Sequence, residues 1–175
     1  VEAMAKLPTI YGSPTVTPGN APGLSTGAAG LVVTTRKKAA ELGLEPMATV
    51  LKVVSHAIDP RLIAVVPAPT IQKALKIVDL TLDDMKTIEI NEAFAAMPLV
   101  STKILGEGDE VTIEKLRNKT NIDGGAIALG HPVGASGLRI TMHLMNILRR
   151  QGGGYGVAAI CGGLAQGDAV ILKVD

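Results

Sequence analysis

Aromatic residues make up 2% of this 175-residue chain, with no tryptophan and with Tyr11, Tyr155 and Phe94 as the whole set. The core must therefore be Val, Ile, Leu, Ala and Met, and no rings alternate with basic residues to stack on nucleic acid bases. There is no surplus of charge either: 17 Lys and Arg oppose 16 Asp and Glu. The single basic run, Arg36-Lys37-Lys38, reads as the solvated first turn of a helix. Cysteine is nearly missing. Cys161 stands alone, which excludes an intramolecular disulfide framework and favours a reducing, cytoplasmic compartment. No apolar run reaches the roughly 18 residues of a membrane span, and no signal peptide opens the chain. The first residue is Val1, and "VEAMAKLP" reads as the middle of a helix, the opening expected of a chain cut from a longer one.

What is present is ample material for a folded core, with 47% hydrophobic and 19% charged residues. Residues 8–30 are rich in Pro, Gly, Ser and Thr and read as an irregular loop. "LVVTT" (31–35) predicts a β-branched strand, "RKKAAELGL" a helix, and "ATVLKVVSHA" (48–57) a second strand. "TIQKALKIVDL" carries Ile71, Ala74, Leu75 and Val78 at helical spacing behind Thr70 as a cap, and Thr81 with Asp84 resembles a second cap. "KTIEI" (86–90) predicts a strand, and "EAFAAMPLVSTKIL" the helix after it. Residues 106–123 read as a polar excursion with a short helix at "IEKLRNK". "LRITMHLMNILRR" places Ile140, Leu144, Ile147 and Leu148 on one face before a GGG stop. "YGVAAIC" and "AVILKV" then predict two last strands joined as an antiparallel hairpin. The succession argues an α/β fold, with the chain wound around one sheet.

The densest signal is "GGAIALGHPVGASG" (124–137), with five glycines around His131. Each glycine inside a regular element costs about 0.5–1 kcal/mol against alanine, so bare backbone is needed there for another reason, such as close approach of a ligand. Three polar residues fall in equivalent places of the predicted fold: Asn91 after the strand 86–90, His131 before the helix 138–150, and Cys161 at the end of the strand 155–161. In open α/β sheets ligands gather beyond the carboxyl ends of strands. Each residue also has a plainer reading, Asn91 as a helix N-cap, His131 as a turn histidine bonded to backbone, and Cys161 as a small buried hydrophobe. His56 and His143 have nothing near them in sequence to raise them above that plain reading. Local chemistry favours more for His131 and Cys161. An imidazole at a helix N-terminus is kept neutral and able to act as a base. A thiol, ordinarily near pKa ~8.5, is within reach of activation, and the amides of Gly162 and Gly163 after it can bind an oxyanion.

"NEAF" (91–94), "GGAIALGHPVGASG" and "CGGLAQG" (161–167) together resemble the three C-terminal motifs of the thiolase family, in order, and "TPGNAPGLSTGAAG" (17–30) resembles the loop before the last strand of that family's N-terminal core. The resemblance implies a thiolase-like C-terminal domain over 48–175, a mixed β-sheet with helices on both faces. Residues 1–47 would be the substrate-binding loop and last strand and helix of the N-terminal half. It implies reversible Claisen condensation or thiolysis of acetyl-CoA and 3-ketoacyl-CoA, with coenzyme A as substrate and no cofactor or metal. His131 would activate the nucleophile and donate to the thioester oxygen, and Asn91 would hold a water completing that oxyanion site. Cys161 would exchange a proton with the substrate α-carbon, the Gly163 amide would join a second oxyanion site, and Phe94 would line the acyl pocket.

The departures are Pro22 where the family often has a pantetheine-contacting serine, Leu164 and Ala165 where glycines are common, and Asp123 for a frequent Asn. Ketoacyl synthases usually carry GHT where this chain has Pro132, and lipid-carrier thiolases usually replace NEAF with an HDCF-like sequence. A non-catalytic assembly or regulatory module of the same fold is the alternative of another class. The family's nucleophilic cysteine lies in its N-terminal half, and this chain has no second cysteine. The chain alone is therefore expected to be inactive, with acyl-CoA, CoA, the N-terminal half and further copies of itself as partners.

Overall fold

A computed structural model describes residues 2–175. The chain opens with α1 (Glu2–Ala5), runs irregularly to α2 (Arg36–Glu41), and enters β1 (Thr49–Ala57). Helix α3 (Pro67–Ile77), strand β2 (Met85–Ile90), and helices α4 (Ala96–Leu105), α5 (Glu110–Asn118) and α6 (Ala126–Leu129) follow. Helix α7 (Ser136–Arg150) then leads into the hairpin of β3 (Gly154–Gly162) and β4 (Gln166–Val174). The sheet is mixed, in the order β1-β4-β3-β2. β4 runs antiparallel to both β1 and β3, whereas β2 and β3 are parallel. The expected hairpin is present, and helices lie on both faces.

β3 shows how the two faces are built. Val157 and Ala159 pack with Ile71, Ala74 and Leu75 of α3 and with Met97 of α4, while Ala158 on the opposite face packs with Ile140, Leu144 and Leu148 of α7. A strand covered on both sides reads as one apolar run and not as an alternation, which is why "YGVAAIC" has no polar positions. Burying each Ile or Leu of this kind contributes about 1.5–3 kcal/mol. Among the described residues no helix is long and apolar enough to cross a membrane.

Several predicted elements differ. Residues 31–35 form no strand; Val32 and Val33 are 93% and 79% exposed and pair with no strand among the described residues. Thr70 caps nothing. Helix α3 begins three residues earlier at Pro67, whose fixed φ suits a first helical position, and the buried Thr70 hydroxyl donates instead to the Val66 carbonyl at 2.7 Å. Asp84 accepts from both the amide and the hydroxyl of Thr81 at 2.7 Å, but the two close a turn and not a helix. Helix α4 starts at Ala96 and not at Glu92, because residues 91–95 make tertiary bonds instead. The Asn91 amide donates to the Ala159 carbonyl and the Ala95 amide to the Asn20 carbonyl, both at 2.9 Å.

Candidate active site

The parallel register of β2 and β3 pairs Ile90 with Ala159, so Asn91 and the end of β3 leave the sheet at the same edge. The 124–137 turn folds over that edge. Two contacts explain its glycines. Gly130 has φ of 100°, and a side chain there would collide with the Ser25 hydroxyl; at Gly125 a Cβ would lie 2.6 Å from the Glu92 carboxylate. Ser25 and Glu92 are the clamps that these approaches serve. The Ser25 hydroxyl accepts from the His131 amide at 3.1 Å, and Glu92 accepts from the Ile127 amide at 3.0 Å. Leu24 pairs with His131 as an isolated bridge, so the 17–30 loop is held against the histidine.

His131 and Asn91 are brought together: the Asn91 Nδ2 lies 3.4 Å from His131 Nε2. Asn91 is not a helix N-cap. It is buried to 1% exposure, and its Oδ1 is an orphaned acceptor without a partner among the described residues. On the other side of the ring, Ser136 Oγ lies 2.6 Å from Nδ1. Burial, and secondly the Arg139 guanidinium, hold the His131 pKa below its ordinary value. The direction is the one expected from the helix terminus, but its causes are burial and Arg139. Cys161 is half-buried at the end of β3 and packs at the border of the α3-side core. Burial pushes its thiol pKa up, so the thiol expected to be within reach of activation lies further from ionisation than an exposed one. Gly163 is exposed in the turn 163–165 beyond β3, Phe94 is partly buried against the α3-side core, and Pro22 is half-buried in the 17–30 loop.

The sequence reading missed Ser136, Ser25 and Glu92, and also a charged group beside the site. Ser136 carried a signal, a small hydroxyl inside a glycine-rich turn five residues after the imidazole. Glu89 is 1% exposed on β2, and its Oε1 and the buried Nε and Nη2 of Arg139 have no partners among the described residues. Burial drives the Glu89 pKa to about 8 against the attraction of Arg139. His143, read as featureless, lies 3.4 Å from Asp123, which also binds Arg150.

Comparison with known proteins bears on the family and the fold. Residues 44–174 match the family model described as thiolase, C-terminal domain. The chain is 42% identical over 173 residues to an acetyl-CoA acetyltransferase of Syntrophomonas wolfei, covering 98% of this chain and 42% of that protein. It superposes on the crystal structure of the Bacillus anthracis acetyl-CoA acetyltransferase with a TM-score of 0.90 at 39% identity, covering 99% of this chain and 42% of that one. Human mitochondrial 3-ketoacyl-CoA thiolase in complex with CoA gives 0.84 at 37% identity over the same shares, 99% and 42%. The chain therefore spans less than half the length of the relatives it matches. With the fold, the three motifs and these likenesses in agreement, it belongs to the thiolase family and carries that family's C-terminal domain.

Proposed function

We propose that this chain supplies the C-terminal part of the catalytic apparatus of an acetyl-CoA C-acyltransferase, acting in the reversible Claisen condensation of acetyl-CoA or the thiolysis of 3-ketoacyl-CoA. The carrying observation is the 3.4 Å contact of Asn91 with His131 Nε2, beside the orphaned Asn91 Oδ1. In this reading His131 accepts the proton of a cysteine nucleophile carried by the N-terminal half, then donates through Nε2 to the thioester oxygen. Asn91 holds a water through the free Oδ1 and completes that oxyanion site. Cys161 exchanges a proton with the substrate α-carbon. Its burial-raised pKa keeps it a thiol at rest, the form that donates to the α-carbon in thiolysis; in condensation it must first give its proton up. The exposed Gly163 amide joins the second oxyanion site, Phe94 lines the acyl pocket, and Pro22 stands beside the pantetheine without a hydroxyl to offer it. Residues 1–47 belong with the N-terminal half and 48–175 form the C-terminal domain. Coenzyme A is substrate, and the working enzyme is an oligomer.

The test uses acetoacetyl-CoA with CoA. The chain alone is expected to give no thiolysis above buffer, and joining it to a nucleophile-bearing N-terminal half is expected to restore turnover. In the joined enzyme, Cys161→Ser should spare acetyl-enzyme formation from labelled acetyl-CoA yet cut condensation about 10²–10⁴-fold, the usual worth of a general acid–base group. His131→Ala should impair both steps. Turnover by the lone chain would overturn the division of roles, and equal loss of acylation and condensation in Cys161→Ser would remove its separate proton-transfer role.

A further inference from the structure

The hydrogen bonds around His131 leave the ring one tautomer. Ser136 is wholly buried, and its Oγ lies between His131 Nδ1 at 2.6 Å and the Pro132 carbonyl oxygen at 3.1 Å. A carbonyl accepts and never donates, so the single hydroxyl proton of Ser136 is directed to Pro132. Its oxygen is then an acceptor toward the imidazole, and Nδ1 must carry the ring proton. The far side of the ring fits the same form. The Asn91 amide nitrogen, which only donates, faces Nε2, and so Nε2 bears the lone pair.

We propose that Ser136 is a positioning residue, which locks His131 in the form protonated at Nδ1 and bare at Nε2 and aims Nε2 at the reacting side. A histidine free in water favours the opposite tautomer, whose Nε2 already holds a proton and cannot accept one. Ser136 suits the task because its own position is fixed. It is the first residue of α7, and the Pro132 carbonyl receives its hydroxyl at 3.1 Å and its backbone amide at 3.0 Å. The histidine backbone is anchored separately through Ser25. What Nε2 does for the reaction rests on the acyl-transfer reading above; the tautomer does not.

The experiment is long-range ¹H–¹⁵N correlation NMR of the ¹⁵N-labelled chain near neutral pH, with His131 assigned by the loss of its signals in His131→Gln. The wild type is expected to show a protonated Nδ1 and a bare Nε2. Ser136→Ala should shift the ring to a mixture or to the Nε2-protonated form, and Ser136→Thr, which keeps the hydroxyl, should retain the wild-type pattern. An Nε2-protonated wild type, or an unchanged tautomer in Ser136→Ala, overturns the proposal; if Ser136→Ala does not fold, the wild-type spectrum decides alone. In the enzyme completed by its N-terminal half, Ser136→Ala is expected to lower the acylation kcat by about 10–100-fold, part of the general-base contribution, with KM nearly unchanged and with recovery in Ser136→Thr. Loss expressed only in KM would also overturn it. A completed enzyme without acyl transfer but with the expected wild-type tautomer would instead sink the functional reading and leave the positioning of the ring standing.

Discussion

Leu164 and Ala165 show at the residue scale what the departures from the family's glycines cost. Both adopt left-handed backbone, with φ of 59° and 53°, a region that disfavours residues with a Cβ by about 1–2 kcal/mol each. Leu164 is 73% exposed, so its side chain recovers little through packing, whereas Ala165 is fully buried. Leu164→Gly removes the strain and adds back roughly 0.5–1 kcal/mol of unfolded-chain freedom. The variant is therefore expected to be more stable by about 0.5–1 kcal/mol, read as a higher urea midpoint at unchanged slope. A midpoint lower than that of the wild type would mean that Leu164 packs in a way its exposure does not show. The strained pair directly follows Gly163.

At the scale of elements, the packing of α7 on β2 encloses Glu89 with Arg139. The Glu89 pKa is raised from 4.5 to about 8, so between those values the folded chain holds a proton that the unfolded chain has lost. Its contribution to stability is complete below pH ~4.5 and is lost as pH rises through ~8, at a limiting slope of about 1.4 kcal/mol per pH unit. His131 and His143 work in the opposite sense. Their pKa values are lowered, chiefly by burial, so the unfolded state takes up their protons first and stability rises with pH up to about 6.5. Above that the histidine contributions level off and the glutamate slope remains. Stability is expected to fall from pH 6.5 to 8, and Glu89→Gln to flatten that fall, checked by urea unfolding at half-unit pH steps. An equal slope in the variant would assign the fall to another group.

On the scale of the whole molecule, the sheet is closed on one side and open on the other. The outer edge of β2 is covered by residues 119–121, with the Ile88 amide donating to the Lys119 carbonyl at 2.8 Å and the Asn121 amide to the Ile88 carbonyl at 2.9 Å. β1 has β4 as its only strand partner among the described residues, and Val50 and Val53 on it are 48% and 61% exposed. Leu24, Val32 and Val33 are more exposed still. An open strand edge beside apolar side chains is a template for association. The lone chain is expected to self-associate as its concentration rises, and addition of a matching N-terminal half to reduce this, both followed by sedimentation velocity. A stable monomer at high concentration would show that these surfaces are tolerated in water.

Composition and periodicity by themselves determined the elements whose signals are local. α7 could be read from its apolar face and the glycines that end it, and β3 from an unbroken apolar run, since burial on one or both faces writes itself directly into spacing. Of the candidate residues, His131 was marked by the glycines around it, since bare backbone around a lone imidazole has few other uses, and Asn91 is the one that the fold brings to it. The tertiary structure decided the rest, where partners distant in sequence compete for the same groups. "LVVTT" has strand-forming residues but no neighbouring strand, so propensity had nothing to act upon. Asn91 had every local mark of a helix cap, yet the parallel neighbour β3 took its backbone amide and His131 its side chain. The Glu89 carboxyl, polar on paper, has its pKa raised to about 8 by burial under the helix packed over it. And the role of Ser136 depends on a turn that brings its hydroxyl between the imidazole and a carbonyl, a geometry that appears only when the glycines let the chain fold back on itself.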